Sequence, residues 1–266
     1  MTVRNMLDFI NQIAPFDTQE PFDNSGLLVG SPDQEIHGIL FALDVTQRVL
    51  DEAVKKGANL IVTHHPLFFD GRKRMTDEDY EGRLLIRLIR ENISLIACHT
   101  NLDKAAGGMN DTLAAVCALQ DIRGEGFVRV GRLPEPMAAS ELKRYLEAAL
   151  STDVRLMGDG NKKVAWIGIC TGAGGDEWQK AVLLGAEAFL SGEIKHHYAL
   201  AMADAAIPAF ECGHFATEEP GIFALADALQ SAADQLQYKV DIFKSRVGGY
   251  AFPARLEPAV RSGSLI

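Results

Sequence analysis

Short apolar runs of strand length alternate with segments whose apolar residues recur every three to four positions, and this alternation constrains the fold more than any other feature of the chain. Residues 36–43, 60–63 and 93–98 are such runs in the first half, and residues 164–170, 186–190, 209–212 and 238–243 in the second. Between them the helical period is clear. Val3, Met6, Leu7, Ile10 and Ile13 recur behind Thr2, a capping residue, and stop at Pro15. Thr46 opens a segment carrying Val49, Leu50, Ala53 and Val54, which Gly57 ends. Helices are also predicted over 77–91, 109–119, 140–150, 177–184, 194–205 and 219–235. Strands separated by helices of this length form βαβ units, so the architecture is α/β with largely parallel sheet. The Gly- and Pro-marked stretch GEGFVRVGRLPEP (124–136) is the expected boundary between two units. Each half carries a strand ending in TH or TG and a later one ending at CH or CGH, the echo expected of a duplicated unit.

With 266 residues the chain can bury one large core or two ordinary ones. Its 26 Lys and Arg against 36 Asp and Glu leave a net charge of −10, and no extended basic run gathers phosphate contacts. That balance argues against nucleic acid held on a positive face. Arg4 and Asp8 interrupt the N-terminal segment where the apolar core of a secretory signal would lie. No apolar run approaches the ~18 residues that span a bilayer. Cys98, Cys117, Cys170 and Cys212 are widely spaced with no CxxC pair, as expected of reduced thiols in a cytoplasmic protein.

The histidines are grouped. His64 and His65 stand in LIVTHHPLFF, His99 in SLIACHTNLD, His196 and His197 in GEIKHHYAL, and His214 in AFECGHFATEE. Three of these groups directly follow an apolar strand. In an open parallel sheet, ligands bind beyond the carboxyl ends of the strands. Two carboxylates accompany them at i, i+4: Asp103 after His99, and Glu218 after His214. On a helix such a pair lies on one face, roughly 6 Å apart between Cβ atoms. Glu219, at i+5, points away. Imidazoles with carboxylates and no matching thiolates suit Zn, Fe, Mn or Co rather than a Cys-rich structural zinc. Four imidazoles and two carboxylates exceed the three protein ligands of a single catalytic zinc, so two metals are the simpler account.

Plainer readings exist for each feature. A lone histidine after a strand is ordinarily a hydrogen-bonded loop residue, but an adjacent pair without partners is costly to desolvate. His196 and His197 fit a polar helix end, with His197 a candidate contact to substrate or to a ligand. Cys98 alternates with His99 along a strand and so faces the opposite side as a buried thiol. The glycines of CTGAGGDEW (Gly172, Gly174, Gly175) make either a tight strand–helix turn or a weak anion cradle lacking the lysine of a P-loop.

In order along the chain, DNSGLLVG (23–30), LDVT (43–46), GANLIVTHHPLFF (57–69), HTNLD (99–103), GGMND (107–111), SGEIKHH (191–197) and GHFATE (213–218) resemble the Nif-three-like family, whose bacterial members are the YbgI-type proteins and GTP cyclohydrolase type 2 homologues. The resemblance runs to about residue 245. It implies two related α/β/α domains with mixed, largely parallel sheets: a metal-binding domain of residues 1–123 plus 213–266, and a second, inserted domain of residues 124–212. It also implies two divalent ions per chain, Fe, Mn or Zn, and a toroidal homohexamer. The family's metal ligands fall on His64, His65, Asp103, His214 and on Glu218 as the bridge, with His99 at the site as ligand or proton carrier. The chain has GEIKHH where the family usually has GDIKYH, so His197 is the matching position. It has Phe22 before DNSG, where Trp is common. The function expected is a metal-dependent hydrolase acting on a nucleotide-like or other small substrate, with His99 and His197 as candidate catalytic residues. The alternatives are a metal-binding or iron-handling protein without turnover, and a ring-shaped scaffold in stress or DNA-damage protection.

Overall fold

The structure is a computed structural model that describes residues 1–124 and 126–247. The first sheet is built from β1 (Gly26–Val29), β2 (Gly38–Ala42), β3 (Leu60–Thr63) and β4 (Ser94–Ala97). The second takes β5 (Gln120–Arg123), β6 (Arg129–Ala138), β7 (Arg155–Met157), β8 (Lys163–Cys170), β9 (Ala188–Ser191) and β10 (Ala209–Glu211). The chain then returns to the first sheet with β11 (Asp241–Lys244). The strand orders are β1-β4-β3-β2-β11 and β5-β6-β8-β9-β10-β7. Within the first sheet β11, β2, β3 and β4 run parallel and β1 antiparallel. In the second, β8, β9 and β10 run parallel, while β5, β6 and β7 supply antiparallel pairings. Both sheets are therefore mixed.

The helices, in chain order, are α1 (Val3–Ile13), α2 (Gln47–Lys56), α3 (Tyr80–Arg90), α4 (Thr100–Lys104), α5 (Met109–Val116), α6 (Ala139–Leu150), α7 (Trp178–Leu183), α8 (His196–Asp204) and α9 (His214–Gln235). Their ends follow the residues that cap them. The Thr2 side chain accepts from Asn5 N at the start of α1, and Thr46 from Val49 N at the start of α2. Gly57 closes α2 at φ +70°, a conformation that costs glycine nothing and an L-residue about 1–2 kcal/mol.

Side chains alternate across each strand, so each sheet has a core on both faces. Ile39 and Phe41 of β2, Leu60 and Val62 of β3, and Ile96 of β4 pack with Met6 and Ile10 of α1 and Ile222 and Leu225 of α9. Leu40 and Ala42, Ile61 and Leu95 face the other way, onto Leu50 of α2 and Leu84 and Leu88 of α3. Burial on both faces is why β2, β3 and β4 stand in the sequence as unbroken apolar runs. The second sheet repeats the arrangement, with Leu142 and Leu146 of α6 on one face and Trp178 and Met202, from α7 and α8, on the other. Helix α5 joins the two: Met109 lies in the core of the first sheet, Leu113 and Ala114 in that of the second.

Several expectations are amended. The C-terminal part of the stretch expected to mark a boundary, residues 129–136, lies within β6. Pro134 and Pro136 fall where the β6–β8 register shifts between Arg132 and Met137, a gap in the ladder that tolerates residues without an N–H. The second sheet also takes in β5, N-terminal to that stretch. Strands β5 and β7 carry no apolar run, since both are sheet edges and every residue of β5 is exposed. Among the described residues, no helix is long and apolar enough to cross a membrane.

Candidate metal centre

The parallel strands of both sheets direct their carboxyl ends to one place. Asp44 follows β2, His64 and His65 follow β3, and His99 follows β4. From the second sheet come Thr171 and Gly172 after β8, Glu193 after β9, and His214 after β10. The loops are zipped to one another: His65 N donates to the Leu43 carbonyl at 3.0 Å, Cys98 N to Thr63 at 2.8 Å, and Glu193 N to Gly172 at 2.8 Å. The backbone is thus set before any side chain is considered.

Each imidazole at the centre is oriented through Nδ1. His64 Nδ1 donates to the Cys98 carbonyl at 2.7 Å, and His65 Nδ1 to Asp44 Oδ1 at 2.7 Å. His99 Nδ1 donates to Asp23 Oδ1 at 2.8 Å, and His214 Nδ1 to Glu193 Oε1 at 3.0 Å. A histidine held in this way presents Nε2 with its lone pair, the arrangement seen around metal-ligating imidazoles. The Nε2 atoms of His65 and His214 approach to 3.2 Å, and Glu218 Oε2 lies 3.1 Å from the first and 3.0 Å from the second. Glu218 Oε1 lies 3.7 Å from His64 Nε2, which is itself 3.6 Å from Asp103 Oδ1. His64 Nε2 is fully buried and has no hydrogen-bond partner among the described residues.

Convergence of lone-pair atoms is costly unless protons or a cation lie among them. The donor atoms fall into two sets that share Glu218, His65–His214–Glu218 and His64–Asp103–Glu218, with a third grouping of His64, His65 and His99; within each, the atoms lie within 4.8 Å of one another. These His, Asp and Glu groups therefore fit a site that holds metal ions, nitrogen with carboxylate oxygen being a donor set that divalent metals accept.

The electrostatics express the same strain. Burial lowers the His65 imidazole, but Asp44 and Glu218 outweigh it and push the group up to about 10. Burial raises the Glu218 carboxyl, yet the charges and hydrogen bonds of His64, His214 and His65 hold it well below its ordinary value. Burial likewise works against the Asp23 carboxylate, which hydrogen bonds from His99 and Thr100 nonetheless keep far down.

All six residues singled out as ligands from the sequence come together here: His64, His65, His99, Asp103, His214 and Glu218. His197 does not. It lies exposed near the start of α8, its ring 4.0 Å from that of Tyr198, outside all three groupings, and His196 is exposed beside it. The glycine turn after β8 is a steric device rather than an anion cradle. A Cβ on Gly172 would stand 2.0 Å from Glu218 Oε1, and one on Gly174 would stand 2.1 Å from Cys170 Sγ. Sequence reasoning did not single out Asp23, Asp44 and Glu193, the carboxylates behind three of the histidines. The available signal was a carboxylate directly after a strand at the same sheet end, in LDVT and SGEIKHH. The four cysteines are buried and unpaired, and Cys98 lies in the core of the first sheet, as alternation required.

Two mixed α/β units meeting at a histidine- and carboxylate-lined centre define a recognisable class, and the chain belongs to the DUF34/NIF3 (NGG1p interacting factor 3) family, whose model matches residues 1–248. A GTP cyclohydrolase 1 type 2 homolog of Clostridium acetobutylicum is 30% identical over 257 residues, 92% of this chain and 96% of that relative. Its counterpart in Clostridium perfringens is 33% identical over 244 residues, 88% and 93% of the two chains. Among solved structures, Staphylococcus aureus protein SA1388 superimposes with a TM-score of 0.90 at 27% identity, covering 96% of this chain and 99% of its own. Protein ybgI, described as of unknown function, superimposes at 0.83 with 27% identity, covering 92% and 98%.

Proposed function

We propose that the chain is a dinuclear metal-dependent hydrolase acting on a nucleotide-like or other small substrate. The observation that supports this reading is the division of Glu218, whose two oxygens face two separate sets of donors. Two divalent ions held there by His64, His65, Asp103, His214 and Glu218 would supply Lewis acidity toward a substrate oxygen and activate water near neutral pH. The protein's own part is distinct. Asp23, Asp44, Glu193 and the Cys98 carbonyl hold the imidazoles in one tautomer, and the cavity over His65 and His214 admits the substrate. His99, backed by Asp23, is assigned here to carry a proton, in support of which it stands outside the two groupings that share Glu218. His197 faces solvent in the isolated chain. The name shared by the clostridial relatives is in keeping with hydrolysis at a purine-like ring. The homohexamer implied by the sequence resemblance belongs to the same proposal and is tested by solution mass.

The decisive experiment measures metal per chain on protein purified without added metal or chelator, beside Glu218→Ala. About two ions per chain, falling sharply in the variant, with turnover that a chelator abolishes and metal restores, is the expected result. Metal without turnover on any hydrolase substrate would favour metal handling instead.

A further inference from the structure

Asp103 is aimed by what surrounds it rather than by its own helix. Rotation of a carboxylate about the last side-chain bond is broad and shallow, so contacts to its oxygens decide where they point. Asp103 also stands in α4, a helix of five residues whose last carbonyls find no helical N–H to accept from. Both its backbone and its carboxylate are therefore set from outside α4, by two buried residues.

The first is Asn110 of α5, which is fully buried. Its Nδ2 donates to the Asp103 carbonyl at 3.1 Å, and its Oδ1 accepts from Thr171 N at 2.9 Å. One amide thus spans the distance between the end of α4 and the carboxyl end of β8. The second is Thr171 itself, also buried. Its hydroxyl donates to Asp103 Oδ1 at 3.4 Å, the same oxygen that lies 3.6 Å from His64 Nε2. A carboxylate oxygen has two lone pairs, so one takes the hydroxyl proton while the other stays available to a cation. Thr171 is fixed in turn by its neighbours: Cys170 pairs with Ser191 of β9, and Gly172 N donates to Thr217 Oγ1 at 3.1 Å. Among the described residues, no hydrogen bond joins Thr171 or Asn110 to the imidazoles of His65 and His214.

We propose that Thr171 is a positioning residue of the metal centre. Its hydroxyl, registered by Asn110, turns the Asp103 carboxylate toward the His64–Asp103–Glu218 group and so sets the affinity for one ion and not for the other. This rests on the reading of the centre as holding two ions, and it gives the end of β8 a part in loading one of them.

The test titrates the metal-free, full-length chain with Zn²⁺ against a chromophoric chelator. Wild type should take up two ions, and Thr171→Ser, which keeps the hydroxyl, should match both affinities within threefold. Thr171→Val keeps the shape and removes the donor. It should lose at least tenfold in affinity for one ion and stay within threefold for the other. Thr171→Ala carries the same expectation if the valine disturbs folding. Because the hydroxyl acts through Asp103, Asp103→Ala should bind Zn²⁺ no differently when Thr171→Val is added. A lower melting temperature of the metal-free Thr171→Val chain with both affinities unchanged would make Thr171 merely structural and overturn the proposal. Equal weakening of both ions, or a further loss in the Asp103→Ala background, would overturn it as well. Fewer than two ions in the wild type would overturn the two-metal reading, and this inference with it; two ions in the wild type with Thr171→Val unaffected would sink this inference alone.

Discussion

The imidazole of His65 is caught between Asp44 and Glu218, and its protonation governs how the centre loads. Raised from 6.5 to about 10 in the metal-free chain, it carries a proton at neutral pH. Its stabilising contribution is fully present below pH 6.5 and is lost as pH rises through about 10. A metal must displace that proton, so loading at pH 7 should release protons, and affinity should climb with pH across that window. Titration calorimetry in two buffers of different ionisation enthalpy measures the release, and none at pH 7 would contradict the account. Asp44 acts one shell out. Asp44→Asn keeps the shape but weakens the hold on His65 Nδ1, and should cost about 10–100-fold in metal affinity by competition with a chromophoric chelator.

Among the elements, the turn after β8 and the start of α2 make contrasting predictions. Gly172 has φ +58° and no room for a side chain beside Glu218. Gly172→Ala should destabilise by about 1–3 kcal/mol and lower bound metal as well. Gly57 has a similar φ, +70°, with nothing within 4 Å of a Cβ, so Gly57→Ala should strain only the backbone and leave metal content intact. Equal metal loss in the two variants would mean that contact with Glu218 is not what Gly172 protects. Thr46→Ala removes the α2 cap that accepts from Val49 N at 3.2 Å, and urea unfolding should register about 1 kcal/mol.

At the scale of the whole molecule, the centre draws residues from distant parts of the chain together. Its candidate ligands come from the loops after β3 and β4, from α4 and from α9, which starts beside the second sheet at His214 and buries Ile222, Leu225 and Leu229 against the first. Metal should therefore stabilise the fold, by about 2.7 kcal/mol at a hundred times its dissociation constant. Thermal unfolding with and without chelator should show the increment, and Glu218→Gln should abolish it. An increment that persists in that variant would place the stabilising ion elsewhere.

How much of this was legible in the chain follows from the range of the forces involved. Strands β2, β3 and β4, the Thr2 and Thr46 caps and the Gly57 stop are written locally, because each reflects burial or hydrogen bonding within a few residues. The histidines after β3 and β4, and the i, i+4 pairs His99–Asp103 and His214–Glu218, were equally plain. Edge strands β5 and β7 left no period because they bury little, and the prolines of β6 hid a strand from view. Only the tertiary structure brought His65 to His214, 149 residues away, turned His197 to solvent and set Asp23, Asp44 and Glu193 behind the imidazoles. Local periodicity records which face of an element is buried; which residue meets it there is decided by how the strand ends of two sheets converge.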